Sequence, residues 1–507
     1  MKKISRILIL SSVAAMFAVA PLAATAQSEE KRFPSADNIE YVVQVKDTET
    51  SGKLTNLTDL YYNAPGIFTF RGTSRRDMPQ SGTLKNRPTG IKHVWTFQTA
   101  FDGRQTSHGT WGGGSGWTGQ PLYIEWPDSL MERQRKQSAG LTANFSKREI
   151  IVGSLCGDVY FIDYASGRAS RKTHKSGNPI KGTLSLDPRL NGNLYIGQGI
   201  PASQPFGAEV FNLFSHKRTS FFGMDQQAWR RWGAYDPSPV VVDNFVLRLS
   251  ENGTIYKLTA NESSVKTHSL MRFRHRGSKA YGMESSPAVW DKYLYFSDNI
   301  GNILCVDIET LKPVWHYDNR DDSDATVMIA KEQGGVFLYA GSAVDKQGDS
   351  GYCRFIKLNA LTGELVWENK IACKKINYSG KAREGGMFST PLFGHGDCEG
   401  LIFTNMCGMG SDKGTFVAID RASGKIVYKS RLQFYAWSSP VALYTPDKQM
   451  FIVTGDVIGN LYLIEAKTGK FIHTLKCGNN FESSPVVIDN CVVVGSRGRE
   501  IHKFEIY

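Results

Sequence analysis

The sequence predicts an all-β fold, an eight-bladed β-propeller of four-stranded antiparallel blades, and three observations carry that prediction. A short hairpin phrase recurs along the chain, a second phrase of small polar residues and proline recurs between its copies, and the two ends of the chain complement one another. Fixed offsets at a period of roughly 40 to 60 residues fit blades better than a helical solenoid, whose units would show 3.6-residue periodicity.

The hairpin phrase places an acidic or amide residue first, Thr or Ser at the third following position, usually Gly at the fourth, and often an aromatic residue at the eighth. It reads Asp163, Ser166, Gly167, Arg171; Asp307, Thr310, Leu311, Trp315; Asn359, Thr362, Gly363, Trp367; Asp420, Ser423, Gly424, Tyr428; and Glu465, Thr468, Gly469, His473. Apolar runs such as Val159 to Ile162 and Phe416 to Ile419 precede it, and an apolar strand follows. Each copy is therefore a hairpin whose turn is built by a side-chain oxygen and a Gly.

The second phrase marks the innermost strand of each blade. It appears at Thr118 to Pro121, Pro237 to Pro239, Ser285 to Pro287, Ser389 to Pro391, Ser438 to Pro440 and Ser483 to Pro485, with weaker versions at Gly182 to Leu184 and Asp324 to Thr326. Together these make eight units. Small residues suit strands that converge on a common axis, where backbones approach closely.

Closure is written in the termini. The last unit, from Ser483 to Tyr507, supplies only three strands, and His93-Val94-Trp95-Thr96-Phe97 resembles the aromatic-bearing outer strands at Val314-Trp315 and Val366-Trp367. The N-terminal strand is expected to complete the C-terminal blade and so remove an open edge. The propeller is expected to span residues 90–507, preceded by an extended, polar segment at 27–89 that lies over it in a structural role, disordered near Ser28 to Arg32.

Residues 1–26 read as a signal peptide: Lys2, Lys3 and Arg6, an apolar core from Ile7 to Ala20, and Ala24-Thr25-Ala26 before Gln27. The mature chain would be periplasmic or secreted and soluble, since no Cys marks lipid attachment and no later apolar stretch is long enough to span a bilayer. Without that segment the chain keeps 57 basic against 48 acidic residues, a net charge of +9. A basic surface suits an anionic partner in the cell envelope, or plain solubility. No Lys/Arg run is dense enough to argue for nucleic acid. The eight Cys form no C-x-x-C. Cys398 with Cys407, Cys353 with Cys373, and Cys477 with Cys491 are candidate pairs, and buried free thiols are the alternative. Neither a C-x-x-C-H haem site nor an H-E-x-x-H zinc motif is present.

The repeated D-x-x-[TS]-G-x-x-x-W hairpins, the S-S-P phrases, and the opening Phe70-Arg71-Gly72 with Trp95-Thr96-Phe97-Gln98-Thr99 together resemble the pyrroloquinoline-quinone-like eight-bladed propellers, over roughly residues 66–507. That superfamily includes quinoprotein dehydrogenases of alcohols and sugars and the non-catalytic propeller of the outer-membrane assembly machinery. The resemblance implies the fold strongly and an activity weakly, because the repeat encodes blade docking. It implies that Trp95, Trp315 and Trp367 pack between blades, with Tyr428 and His473 replacing the indole elsewhere.

Residues just before the inner strands, and in the turns joining second and third strands, should gather at one mouth of the axis. They are Trp117, Lys181, Asp236, Glu284, Asp321, Asp322, Asp324, Arg383, Trp437, Glu482 and Arg497. Trp117, Lys181, Asp236, Arg383, Trp437 and Arg497 are the candidate ligand contacts, with Trp117, Trp437 and Arg497 open to the channel. Asp321, Asp322 and Asp324 are candidate metal ligands, although their spacing is not that of an EF-hand. Asp324, Glu284 and Glu482 are the candidate catalytic acids.

Three functions use such a funnel. The favoured one is an exported, monomeric, non-catalytic propeller that binds a protein or anionic glycan partner and needs no cofactor. A quinoprotein dehydrogenase would bind pyrroloquinoline quinone and Ca2+, with Trp437 or Trp117 as stacking floor and Asp324 as base, but this chain lacks the adjacent Cys pair of many alcohol-oxidising members. A polysaccharide lyase or glycosidase would use the carboxylates for proton transfer, Arg for a uronate and Trp for sugar stacking.

Overall fold

The computed structural model describes residues 35–507 except 63–64, 79–81, 118, 138–139, 144 and 279–280. The signal-peptide expectation and the stretch Ser28 to Arg32 lie outside the described residues. Eight antiparallel sheets form the ring: the first blade covers 122–175, the second 185–223, the third 240–275, the fourth 288–318, the fifth 328–374, the sixth 392–431 and the seventh 441–476. The eighth combines Val486–Ile488, Cys491–Ser496 and Glu500–Ile506 with Ile91–Gln98 as its outer strand, in register from Glu500 opposite Gln98 to Ile506 opposite Ile91. The weak phrases at Gly182 to Leu184 and Asp324 to Thr326 do lead into inner strands, Ser185–Leu186 and Met328–Glu332. A nine-residue helix, Asp128–Lys136, is inserted in the first blade and buries Met131 and Gln134.

Blades dock through the hairpin phrase. The indole Nε1 atoms of Trp95, Trp315 and Trp367 donate to the carbonyls of Tyr164, Ala360 and Arg421 at 3.1, 3.0 and 3.1 Å, each in the turn of the next blade. The ring lies over that turn's glycine: a Cβ on Gly167, Gly363 or Gly424 would meet it at 2.5–2.8 Å. These glycines also have φ of 68 to 74°, so the residue serves both the turn and the docking. Tyr428 takes the same place through its hydroxyl on the Ala466 carbonyl, and Nδ1 of His473 accepts from the Ile91 N–H at 2.8 Å. Arg171, at the position an aromatic holds in sister blades, is buried in an ion pair with Glu149 and donates to the Leu213 carbonyl.

The small hydroxyl residues before each inner strand have a role beyond size. The N–H of Ser238 donates to Ser286 Oγ, Ser286 to Thr326, Thr326 to Thr390, Thr390 to Ser439 and Ser439 to Ser484, all at 2.9–3.1 Å. Ser484 N–H then reaches the Gly119 carbonyl, and Gln120 N–H reaches Thr183 Oγ1. A belt of hydroxyls therefore satisfies backbone donors that no β-ladder could reach at the axis.

The segment before residue 90 is threaded into the ring instead of lying over it. Ile39–Val45 adds a fifth, outermost strand to the third blade, Gly66–Ile67 pairs with the first, and Gly82–Thr83 runs parallel to the inner strand of the seventh. Between them, residues 68–78 plug the axis. Arg71 donates to the carbonyls of Pro440 and Pro391 at 2.8 and 2.7 Å; Arg76 donates to Pro287 O, Ser238 O, Phe70 O and Thr69 Oγ1 at 2.6–2.9 Å. Burial lowers their pKa values to about 9 and about 10, so both guanidinium groups stay charged at neutral pH. All eight cysteines are free thiols and seven are buried, so none of the three candidate pairs is formed. No helix among the described residues is long and apolar enough to cross a membrane.

Candidate functional site

The eight inner strands start at one end of the axis, and the residues just before them meet there. Phe70 from the plug forms the floor beside Trp117, Gly182, Asp236, Glu284, Asp324, Phe388 and Trp437, around a cavity of about 30 Å³. Trp117 packs edge-on against Trp437 with ring centroids 5.1 Å apart, and Phe388 and Tyr435 flank Trp437 at 5.3 and 5.5 Å. Trp437 is therefore only 4% exposed, buried among rings instead of open to the channel. Trp117 is half-buried, with φ of 49°.

The second, third and fourth blades each bring a charge to this floor. The Lys181 ammonium contacts Asp236 and lies 3.6 Å from Glu284 Oε2, with its charge over the Trp117 ring at 4.8 Å. Burial works against the charged lysine, but Asp236, Glu284 and Glu251 outweigh it and raise its pKa. The approach of these blades depends on Gly182, where any Cβ would meet the Asp236 carbonyl at 1.9 Å.

Asp236, Glu251 and Glu284 bring one carboxylate oxygen each within 4.8 Å of one another. Such a set suits a hard cation, yet Lys181 already places a positive charge on two of its members. Glu251 is 3% exposed. Its Oε2 accepts from Trp232 Nε1 at 2.8 Å, and its carboxyl is also hydrogen-bonded to that of Asp236. Burial first, then the charges of Asp236 and Glu284, push its pKa well up. Asp322 and Asp324 are raised likewise, by burial and then by their acidic neighbours, Asp324 and Glu284 for the first, Glu284 and Glu384 for the second.

The remaining candidates separate into distinct settings. Asp321 does not face the other carboxylates as a free ligand: its oxygens accept from the N–H groups of Asp322, Asp345 and Lys346 and from Gln347 Nε2, which fixes the 345–347 loop. Glu482 is buried and paired with half-exposed Arg497 at 3.1 Å. Arg497 lies over the Trp111 ring at 5.4 Å. Arg383 closes a two-stranded hairpin, Ile376–Tyr378 with Lys381–Arg383, that leans on the funnel rim through Tyr378 against Phe434 at 5.2 Å. Sequence reasoning missed Glu251, Glu384 and Phe388. Glu251 occupies the same second-to-third strand turn that singled out Arg497, so its position carried a usable signal.

Glu251→Gln provides a check on this electrostatics. A carboxyl whose folded pKa lies above its unfolded value is destabilising as pH rises from about 4.3 towards the folded pKa. Gln keeps an acceptor for Trp232 and removes the ionisable carboxyl that faces Asp236 and Glu284. The variant should therefore unfold at higher temperature than the parent at pH 8 and at nearly the same temperature at pH 4. Parallel curves across that range would contradict the assignment.

Ring, docking phrase and axial hydroxyl belt define the class, an eight-bladed β-propeller, and its blade repeats are similar to those of the pyrroloquinoline-quinone-like propellers. A profile of the family described as outer membrane protein assembly factor BamB matches residues 412–506. Quinoprotein alcohol dehydrogenase PedH from Pseudomonas putida is 30% identical over 107 residues, which is 21% of this chain and 18% of that protein. The chain thus matches less than a fifth of that relative's length. Among solved structures, a europium-containing methanol dehydrogenase superposes with a TM-score of 0.59 at 12% identity, covering 87% of this chain and 98% of that one. BamB from Moraxella catarrhalis superposes with 0.51 at 15%, covering 82% and 98%. These likenesses show the fold, and they include both enzymes and an assembly factor.

Proposed function

We propose that this chain is a non-catalytic propeller of the cell envelope that binds a protein partner through the funnel at the start of its inner strands. The single observation that carries the reading is the filled axis. A tricyclic quinone needs a pocket in the usual range of about 300–1,000 Å³, whereas Trp117, Trp437, Phe388 and Phe70 leave about 30 Å³, room for one or two waters. The Ca2+ that accompanies the quinone would have to displace the Lys181 ammonium from Asp236. The residues present do not fit that cofactor.

Charge narrows the partner. At the floor the Lys181 charge is already taken by Asp236 and Glu284, and burial keeps Glu251, Asp322, Asp324 and Glu384 towards their neutral forms, so the funnel floor offers a polyanionic glycan no unpaired cation where the net basic charge of the whole chain had suggested attraction. A protein surface with aromatic, neutral or basic groups suits the half-exposed Arg383, Arg497 and Trp117. The match to the BamB profile and the likeness to a BamB structure are consistent with that reading, as is placement in the periplasm if residues 1–26 direct export.

A photo-crosslinking residue at Arg497 or Arg383 should capture one discrete envelope protein in intact cells, and the same residue at Val427, 56% exposed on an outer strand, should not. Equal capture at both places would remove the funnel from the interface. Dye-linked oxidation of alcohols or sugars after reconstitution with pyrroloquinoline quinone and Ca2+, abolished by Asp324→Asn, would overturn the proposal in favour of a dehydrogenase.

A further inference from the structure

The opposite end of the axis, where the inner strands finish, holds a larger cavity of about 390 Å³. It lies between the threaded segment and the third and fourth blades. Its floor is Val241, Val242 and Val289, its walls are Tyr62, Arg75 and Trp290 on one side and Leu57, Thr58 and Asp59 on the other. None of these residues belongs to the funnel. The volume falls within the range of sites that hold small ligands or a few residues of peptide.

The walls are held in place by the plug. Asp77 accepts from the Tyr62 hydroxyl at 3.2 Å and pairs with the Arg75 guanidinium at 3.1 Å, while Ser74 O and Arg75 O accept from the N–H groups of Val289 and Ile329. The guanidinium lies 4.9 Å from the Tyr62 ring centre and 5.6 Å from that of Trp290. Two apolar residues stay exposed at the cavity, Leu57 at 52% and Tyr62 at 45%. Apolar surface left open beside a preformed concavity is a mark of a binding site.

The polar atoms specify what would enter. The Arg75 guanidinium lines the cavity, is partly exposed and uses one terminal nitrogen on Asp77, so an occupant can bring an acceptor to the other. A carboxylate would be a poor choice, because Asp59 and Asp291 also line the cavity and would repel it. Asp59 accepts from Ser74 Oγ and the Tyr61 N–H, and burial raises its pKa; a neutral donor suits it better than a second anion. A neutral group with one acceptor and one donor, attached to an apolar body, is a backbone amide carrying an aliphatic or aromatic side chain.

We propose that this cavity is a second binding site, one that takes an internal segment of polypeptide, with a Leu- or Phe-sized side chain on the valine floor and its backbone carbonyl on the Arg75 guanidinium. The site is independent of the funnel, and its occupant need not be the funnel's partner.

Capped single residues make the test direct. N-acetyl-leucinamide and N-acetyl-phenylalaninamide, titrated by ligand-observed NMR against the intact chain, should bind, and the free acid N-acetyl-leucine should bind at least tenfold more weakly. Trp290→Ala and Arg75→Leu should each reduce affinity for the amides at least tenfold, and Arg75→Leu should also narrow the gap between amide and acid. To separate loss of binding from loss of fold, both variants are compared with the parent by thermal unfolding, and Leu57→Ser, at an exposed position, gives a third reading that carries no folding risk. Absence of saturation transfer from the parent, equal binding of acid and amide, or preferential binding of a methyl pyranoside would each overturn the proposal. Funnel variants should leave these titrations unchanged, so failure of the second site and failure of the funnel as a partner-binding surface are separate outcomes.

Discussion

Arg76→Ala should lower the midpoint of urea unfolding further than truncation of any of the blade-docking aromatics. The guanidinium satisfies four buried acceptors, the carbonyls of Pro287, Ser238 and Phe70 and the hydroxyl of Thr69. Thr69 Oγ1 keeps Ser238 Oγ and Pro239 O, but each of the three carbonyls left without this donor costs roughly 1–3 kcal/mol, so the loss should be at least about 3 kcal/mol before any cavity is counted. Arg76→Lys should recover less than half, because one ammonium cannot span acceptors on the inner strands of two blades as the planar fork does. Lys136→Ala, which removes one partner of an exposed pair with Glu132, should leave the midpoint in place. An Arg76→Ala protein with the parent's midpoint would show that the plug contributes nothing to holding the ring.

Trp367→Ala should be nearly as damaging, by about 3–5 kcal/mol, the range for removing a large aromatic from a core. The indole is buried, donates to the Arg421 carbonyl and covers the sixth blade's turn at Gly424. Truncation thus opens a void and orphans a carbonyl at one blade-to-blade joint. Gly424→Ala should harm the same joint from the other side, since φ there is 72° and a Cβ would lie 2.5 Å from the ring. If thermal unfolding of Trp367→Ala is unchanged while partner binding disappears, the residue belongs to a binding surface and not to the docking phrase.

These two residues also mark the boundary of what the sequence reveals. Trp367 is legible because its docking partner is the next copy of a local phrase, repeated at fixed offsets and so readable several times over. Arg76 is not, because its acceptors are carbonyls of Ser238 and Pro287, more than 160 residues away, and a carbonyl leaves no trace in the residue type that bears it. The funnel falls between these cases. Position before an inner strand places Trp117, Asp236, Glu284 and Asp324 around one cavity, with Lys181 beside them on Asp236, but position cannot say whether neighbours fill the space. Phe388 and Tyr435 bury Trp437, where an open platform was expected. Asp321 shows the same limit: three carboxylates in four residues look alike in sequence, and only the 345–347 loop determines that one of them is consumed by backbone donors.

The segments that seal this ring are synthesised before the blades they join. Residues 68–78 need the carbonyls of Pro391 and Pro440, and Ile91–Gln98 needs Glu500–Ile506, so neither can reach its final place until almost the whole chain has been made. Blades between them can form in order, each from its own neighbouring strands. The early segments must wait through that interval with their strand edge and their arginines unpartnered. A chain interrupted anywhere before residue 500 therefore carries both an open last blade and an outer strand with nothing to pair with. Ring closure thereby reports that the chain has been made through the strand Glu500–Ile506.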